Sequence, residues 1–136
     1  MGYLPQSTIL GRLKILEVYE FYDIPRLFCC QNAASQRYLA LSIDEEKFSL
    51  VWLYVAISPQ RFQALCLSQI TLRDAYLKAE DDVVLKVVTC QDGYDTIELV
   101  HCPEIPDDWL PAVGELLSPA FETTLPQEKL MLAQHH

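Results

Sequence analysis

The chain has 136 residues, 51% of them hydrophobic and 21% charged, and its 10 Lys+Arg against 19 Asp+Glu give a formal charge of −9 at pH 7. A chain of this length buries about two-thirds of the surface it exposes when unfolded, so it can build a core without metals or disulfides, which excludes disordered and low-complexity classes for most of its length. Binding to a polyphosphate requires Lys and Arg to displace condensed counterions, so the acidic balance also excludes a general DNA- or RNA-binding role.

At the N-terminus, Met1–Ser7 lacks the basic and apolar regions of a secretory signal, and no apolar run reaches the roughly 18 residues of a membrane span. The chain therefore reads as cytoplasmic, with no membrane partner. Gln6 stands where an N-myristoylation pattern needs Ser or Thr. Leu13–Tyr22 is β-branched and aromatic and reads as a strand, Asp23-Ile24-Pro25 as a turn, and Arg26–Gln31 as the return strand. Beyond the polar Asn32–Gln36, Leu39, Leu41 and Ile43 alternate with smaller or polar residues through a third strand, Arg37–Ile43. Asp44–Lys47 reads as a charged turn. Phe48–Ile57 is apolar on both faces, as a central strand covered on at least one side by a helix would be.

Ser58-Pro59 opens a helix to about Ser68, because the serine oxygen caps a free N–H and proline has no donor to lose at the first position. Thr71-Leu72-Arg73-Asp74 resembles a capping box and opens a second helix to about Ala79. Val83–Cys90 and Tyr94–His101 are strands joined across Asp92-Gly93, a pair that supplies the positive φ of a tight hairpin turn. Pro103, Pro106, Pro111 and Pro119 then leave room only for a short helix within about Asp107–Leu117. The pattern predicts an α+β fold: a mainly antiparallel sheet of about five or six strands, a short helical pair on one face, and an acidic segment wrapping the edge. Residues 1–118 form the single domain, and 119–136 a C-terminal tail or short docking helix. No chemistry is drawn from the terminal His135-His136.

Charge divides unevenly along the chain: residues 1–79 hold 8 basic and 7 acidic side chains, residues 80–136 hold 2 and 12. Five cysteines with no C-x-x-C spacing read as buried thiols of a reducing compartment, neither a disulfide framework nor a zinc site. The acidic run Glu80-Asp81-Asp82 lacks the alternating ligands and central glycine of a calcium loop and reads as a solvated turn. With four glycines and no phosphate-binding motif, no cofactor is implied. His101 is the one imidazole outside the terminal pair; Cys102 would face away from it, while Cys90 would face it across the hairpin. Glu17 and Glu20, three apart in a strand, fall on opposite faces and read as flanking charges beside Arg or Lys on neighbouring strands.

Trp109 follows two acids in a proline-bounded segment, where an aromatic either pins the segment onto the core, the commoner outcome, or is offered to a partner. Asp107, Asp108 and Trp109 are thus the candidate interaction residues. Gly11-Arg12-Leu13, Ile15–Glu20, Tyr22-Asp23 with Pro25, then Trp52–Val55, Ile57-Ser58, Arg61, Ile70, Leu72-Arg73 and Ala75 together resemble a bacterial family of small proteins known only as a domain of unknown function. The resemblance covers about residues 11–80 and implies no reaction, cofactor or catalytic residue. The favoured function is a non-enzymatic interaction or regulatory protein whose acidic half meets a basic partner, such as a toxin-like or nucleic-acid-binding protein, by analogy with small immunity proteins and antitoxins. The alternative is an enzyme or small-ligand protein with a pocket between sheet and helices, built from Tyr38, Trp52, Tyr54, Arg61, Arg73 and His101. A homo-oligomer joined through a strand edge is a third possibility.

Overall fold

The computed structural model describes residues 4–5, 9–93 and 95–118. Six strands form one antiparallel sheet: β1 (Leu13–Tyr22), β2 (Ile24–Asn32), β3 (Arg37–Glu46), β4 (Ser49–Ile57), β5 (Val83–Cys90) and β6 (Thr96–His101). Their order across the sheet is their order along the chain. Between β4 and β5 lie helices α1 (Pro59–Cys66) and α2 (Leu72–Leu77), and single 3-10 turns, Cys102–Glu104 and Asp107–Trp109, follow β6. This is the α+β arrangement the patterning predicts. The tail expected over 119–136 lies outside the described residues.

Turn chemistry sets the strand limits. Asp23 at φ 66° reverses the chain by itself, so β2 starts at Ile24 and Pro25 enters the ladder opposite Phe21. The acids Asp44, Glu45 and Glu46 are strand rather than turn, since Glu46 pairs with Ser49 and only Lys47-Phe48 cross over. Gly93 at φ 88° makes the β5–β6 turn, and β6 starts at Thr96 because the Asp95 carboxylate accepts the Cys90 N–H at 2.9 Å. Both helices open as expected: Ser58 Oγ accepts from the Arg61 N–H at 3.2 Å and Thr71 Oγ1 from the Asp74 N–H at 3.1 Å. α1 ends early at Cys66, followed by Ser68 in the left-handed region at φ 61°. No helix fills Asp107–Leu117. Pro106 and Pro111 lack the N–H groups a ladder would use, and beyond its single 3-10 turn the segment has no regular structure.

Each face of the sheet buries its own cluster. On the helix face, Tyr19, Leu27, Leu39, Leu53, Val55, Val84 and Val100 meet Phe62 and Leu65 of α1 and Leu72, Ala75 and Tyr76 of α2, so every strand and both helices share one core. Tyr76 is wholly buried and its hydroxyl donates to the Leu39 carbonyl at 3.0 Å. On the other face Phe28, Cys30, Ala40, Leu50, Trp52, Tyr54 and Val87 pack together with Leu10 and Leu13. The Phe28 ring meets Trp52 edge-on at 5.4 Å, and the indole N–H of Trp52 donates to Thr89 Oγ1 at 3.2 Å. β4 is therefore enclosed on both sides, which accounts for its unbroken apolar run.

Irregularities in β1 overturn the expectation for its carboxylates. Register shifts after Ile15 and after Val18 set Glu17 opposite Cys29 and Glu20 opposite Leu27, so the added residues bring both acids to the helix face. Neither pairs with a basic residue; Glu17 accepts the Tyr19 hydroxyl at 3.3 Å.

Candidate functional site

In a meander, chain position is sheet position. Among the described residues, β5, β6 and the start of the strap that follows them therefore bring much of the acid-rich stretch to the β6 side of the molecule. Residues 80–118 hold ten acidic side chains and one basic one, Lys86.

The strap is held down along its length. The Cys102 N–H donates to the Asp82 carbonyl at 2.9 Å and its buried thiol to the Tyr76 carbonyl at 3.3 Å. Ile105 and Leu117 are buried in the helix-face core, with Trp109 half-buried against it. The Lys86 ammonium lies 5.4 Å from the centre of the Trp109 ring. Arg73 of α2 donates to the Pro111 carbonyl at 2.9 Å and pairs with the exposed Asp107 carboxylate. The Leu72 N–H donates to the Glu115 carbonyl at 2.9 Å. Trp109 thus pins the segment, and Asp107 is engaged within the fold.

Other acids here are also committed. Glu80 accepts from the Ser58 N–H at 2.8 Å and from its hydroxyl at 2.7 Å, tying the turn before β5 to the start of α1. Among the described residues of this region, what remains is a set of four exposed carboxylates without an ion pair or side-chain hydrogen bond: Asp82, Glu98, Glu104 and Asp108. Of the three expected interaction residues only Asp108 belongs to it. Glu98 and Glu104 escape a reading by motif because each stands apart from other acids, Asp82 belongs to the run Glu80-Asp81-Asp82 that reads as a solvated turn, and the sheet order brings the three to one edge. On the inner side of the strap, burial and the neighbouring Glu115 carboxylate raise the Glu20 carboxyl above its ordinary range.

The six residues of the alternative pocket are not gathered into one cavity. Trp52 and Tyr54 are fully buried on the face away from the helices, with Tyr38 beside Tyr54 at 6.3 Å. Arg61 caps α2, donating to the carbonyls of Asp74 at 3.0 Å and Lys78 at 2.6 Å, and Arg73 holds the strap. His101 is exposed at the end of β6, opposite Val83. Cys90 does not face it, because Cys90 lies at the other end of β5, opposite Ser49. The space between sheet and helices, where the pocket was expected, is filled by core side chains. Two open surface depressions do exist. One, of about 430 Å³, is lined by Phe48, Ser49, Cys90, Gln91 and Asp92, and burial together with Asp92, Asp95 and Glu46 pushes its Cys90 thiol up, away from a reactive thiolate. The other, of about 350 Å³, lies at the opposite edge against Arg12 and Lys14. No group of three or more His, Cys, Asp or Glu among the described residues is arranged to hold a metal ion. No described helix is long and apolar enough to cross a membrane.

Fold and surface define a small α+β protein, a six-stranded antiparallel meander with a helical layer and an acidic edge. The chain belongs to DUF6575, a family of unknown function, which its residues 1–130 match. No curated protein and no solved structure matches it.

Proposed function

We propose that the protein is a non-enzymatic interaction module whose acidic edge, carrying Asp82, Glu98, Glu104 and Asp108, docks a basic protein partner. One observation carries the reading: strand order follows chain order, so the charge asymmetry of the sequence becomes an asymmetry of the surface. Carboxylates with no partner of their own lose little on meeting Lys or Arg across an interface, and their summed field speeds encounter. The strap beneath them is fixed by Trp109 and Arg73, so the surface is organised before a partner arrives. A cytoplasmic location goes with this reading, since five unpaired thiols suit a reducing compartment.

The test separates this surface from net charge. The intact protein is used as bait in a lysate of its source cells at about 0.05 M and about 0.5 M salt, where screening lengths differ severalfold. It is compared with D82N/E104Q/D108N and with E17Q/D23N/D44N, which removes the same charge elsewhere. The expected result is a basic protein retained at low salt, released as salt rises, lost with the first variant and kept with the second. Equal retention by both variants, or no basic protein at either salt, overturns the proposal.

A further inference from the structure

The edge opposite β6 carries a corner of the reverse sign. Five of the described cations are spoken for inside the fold: Arg26 by Glu45, Arg61 by the end of α2, Arg73 by the strap, Lys86 by Trp109 and Arg37 by the Phe62 ring at 5.0 Å. Arg12 and Lys14 are exposed, make no ion pair or side-chain hydrogen bond, and border one depression of about 350 Å³ together with Leu16, Gln31, Asn32 and Ala33. Lys14 stands opposite Gln31 in the ladder, and Gln31 opposite Arg37, so a third cation lies one strand further along the same row. The Gln31 carboxamide is also without a partner.

The wall of this corner is built in advance. Gly11 at φ 80° turns the chain into β1. The Asn32 amide nitrogen donates to the Leu10 carbonyl at 2.9 Å, while its oxygen accepts from Ala34 at 3.0 Å and Gln36 at 2.9 Å. One side chain thus fastens the β2–β3 turn to the segment entering β1. Of the two β1 carboxylates Glu17 is the nearer to this corner along the chain, and the Tyr19 hydroxyl already donates to it. The opposite edge, β6 with Glu98 on it, lies five strand spacings away, about 24 Å along the sheet. That is about three screening lengths at physiological salt, so the local cations set the potential here despite the formal charge of −9.

We propose that this corner is a binding site for a small organic oxyanion, a carboxylate or phosphate ester on an apolar body. Arg12 and Lys14 take the charged group, the Gln31 amide donates to it, and Leu16 receives the apolar part. A volume of about 350 Å³ lies at the small end of the range that holds such ligands. The site is independent of the docking surface proposed above.

Phenyl phosphate is titrated into the ¹⁵N-labelled full chain and read by amide shifts. The expected result is saturable movement confined to about residues 11–16 and 31–37. R12Q/K14Q, two exposed changes that leave the core untouched, abolishes it, and K78Q, an exposed lysine on another element, retains it. Inorganic phosphate gives the same pattern at least tenfold more weakly, for want of contact with Leu16, and the neutral benzyl alcohol gives none. Shifts spread over the surface, no saturation by about 10 mM, an unchanged response in R12Q/K14Q, or inorganic phosphate binding as well as phenyl phosphate each overturn the proposal.

Discussion

Trp109→Ala tests whether the indole pins the strap or is reserved for a partner. Fully buried Trp→Ala changes cost about 3–5 kcal/mol, and Trp109 is half-buried, so packing accounts for about 2 kcal/mol. The Lys86 ammonium, 5.4 Å from the ring centre, adds about 0.5 kcal/mol at this partly exposed site. A loss of about 2.5 kcal/mol corresponds to a fall in Tm of about 8 °C for a domain of this size. Equilibrium unfolding in urea is followed by fluorescence, because the variant keeps a single tryptophan, the fully buried Trp52. Pairing the change with Lys86→Met in a double-mutant cycle should return the coupling of about 0.5 kcal/mol. Amide exchange adds a local readout: protection at Leu72 and Cys102, whose N–H groups bond to Glu115 and Asp82, should fall further than protection in β4. A Trp109→Ala protein with unchanged urea midpoint and unchanged exchange, yet weakened partner capture, would refute the pinning reasoning and make Trp109 a contact residue.

Thiol labelling in native buffer should modify the exposed Cys66 first and the half-buried Cys90 second, leaving Cys29, Cys30 and Cys102 untouched until urea is added; burial pushes the Cys29 thiol up to about 12. Cys29 reacting as fast as Cys66 would mean that the helix-face core opens readily. Glu20→Gln should stabilise the protein at pH 7: the native carboxyl holds its proton above the ordinary value of 4.5, so wild-type stability falls as pH rises through and beyond that value. The gap should close by about pH 3, where both states are protonated, and equal stabilities at pH 7 would contradict the assignment. Gly11→Ala should cost about 1 kcal/mol for the φ of 80° alone, because an added Cβ would meet only ordinary contacts with Asn32; an unchanged urea midpoint would refute this.

The sheet was legible because its strands have clean boundaries in chemistry: β1 and β5 begin and end where the alternating and β-branched runs do. The caps Ser58 and Thr71 were legible because a hydroxyl before a helix has one favourable use. Other features depend on the partner strand rather than on local sequence. The bulges of β1 are set by its mismatch with β2, and they move Glu20 to the face that period-2 reasoning denies it. Asp44–Glu46 stay in strand because β4 supplies their ladder while their exposed side chains need no burial. The expected pocket failed for a related reason. Aromatics and cations chosen by type carry no sign of which face they occupy, and Trp52 and Tyr54 point away from the helices that hold Arg61 and Arg73.

The position of the two charged regions follows from where this fold leaves room for function. Both faces of the sheet are spent on folding, since Trp52 and Tyr54 on one side and Leu39 and Tyr76 on the other are sealed from solvent. Among the described residues, exposed apolar side chains such as Tyr22, Phe48, Leu99 and Val113 lie on separate elements. The two surfaces proposed above accordingly lie on the rim. There β1, with its register shifts, resists addition of a further strand, whereas β6 runs without one. A rim offers little apolar area, so charge must supply the selectivity. A meander of six strands puts the basic corner on β1 and the acidic β6 edge at opposite ends of it, about three screening lengths apart at physiological salt. The same topology that makes the fold simple thus keeps the basic corner and the acidic β6 edge separate, as two independent binding surfaces require.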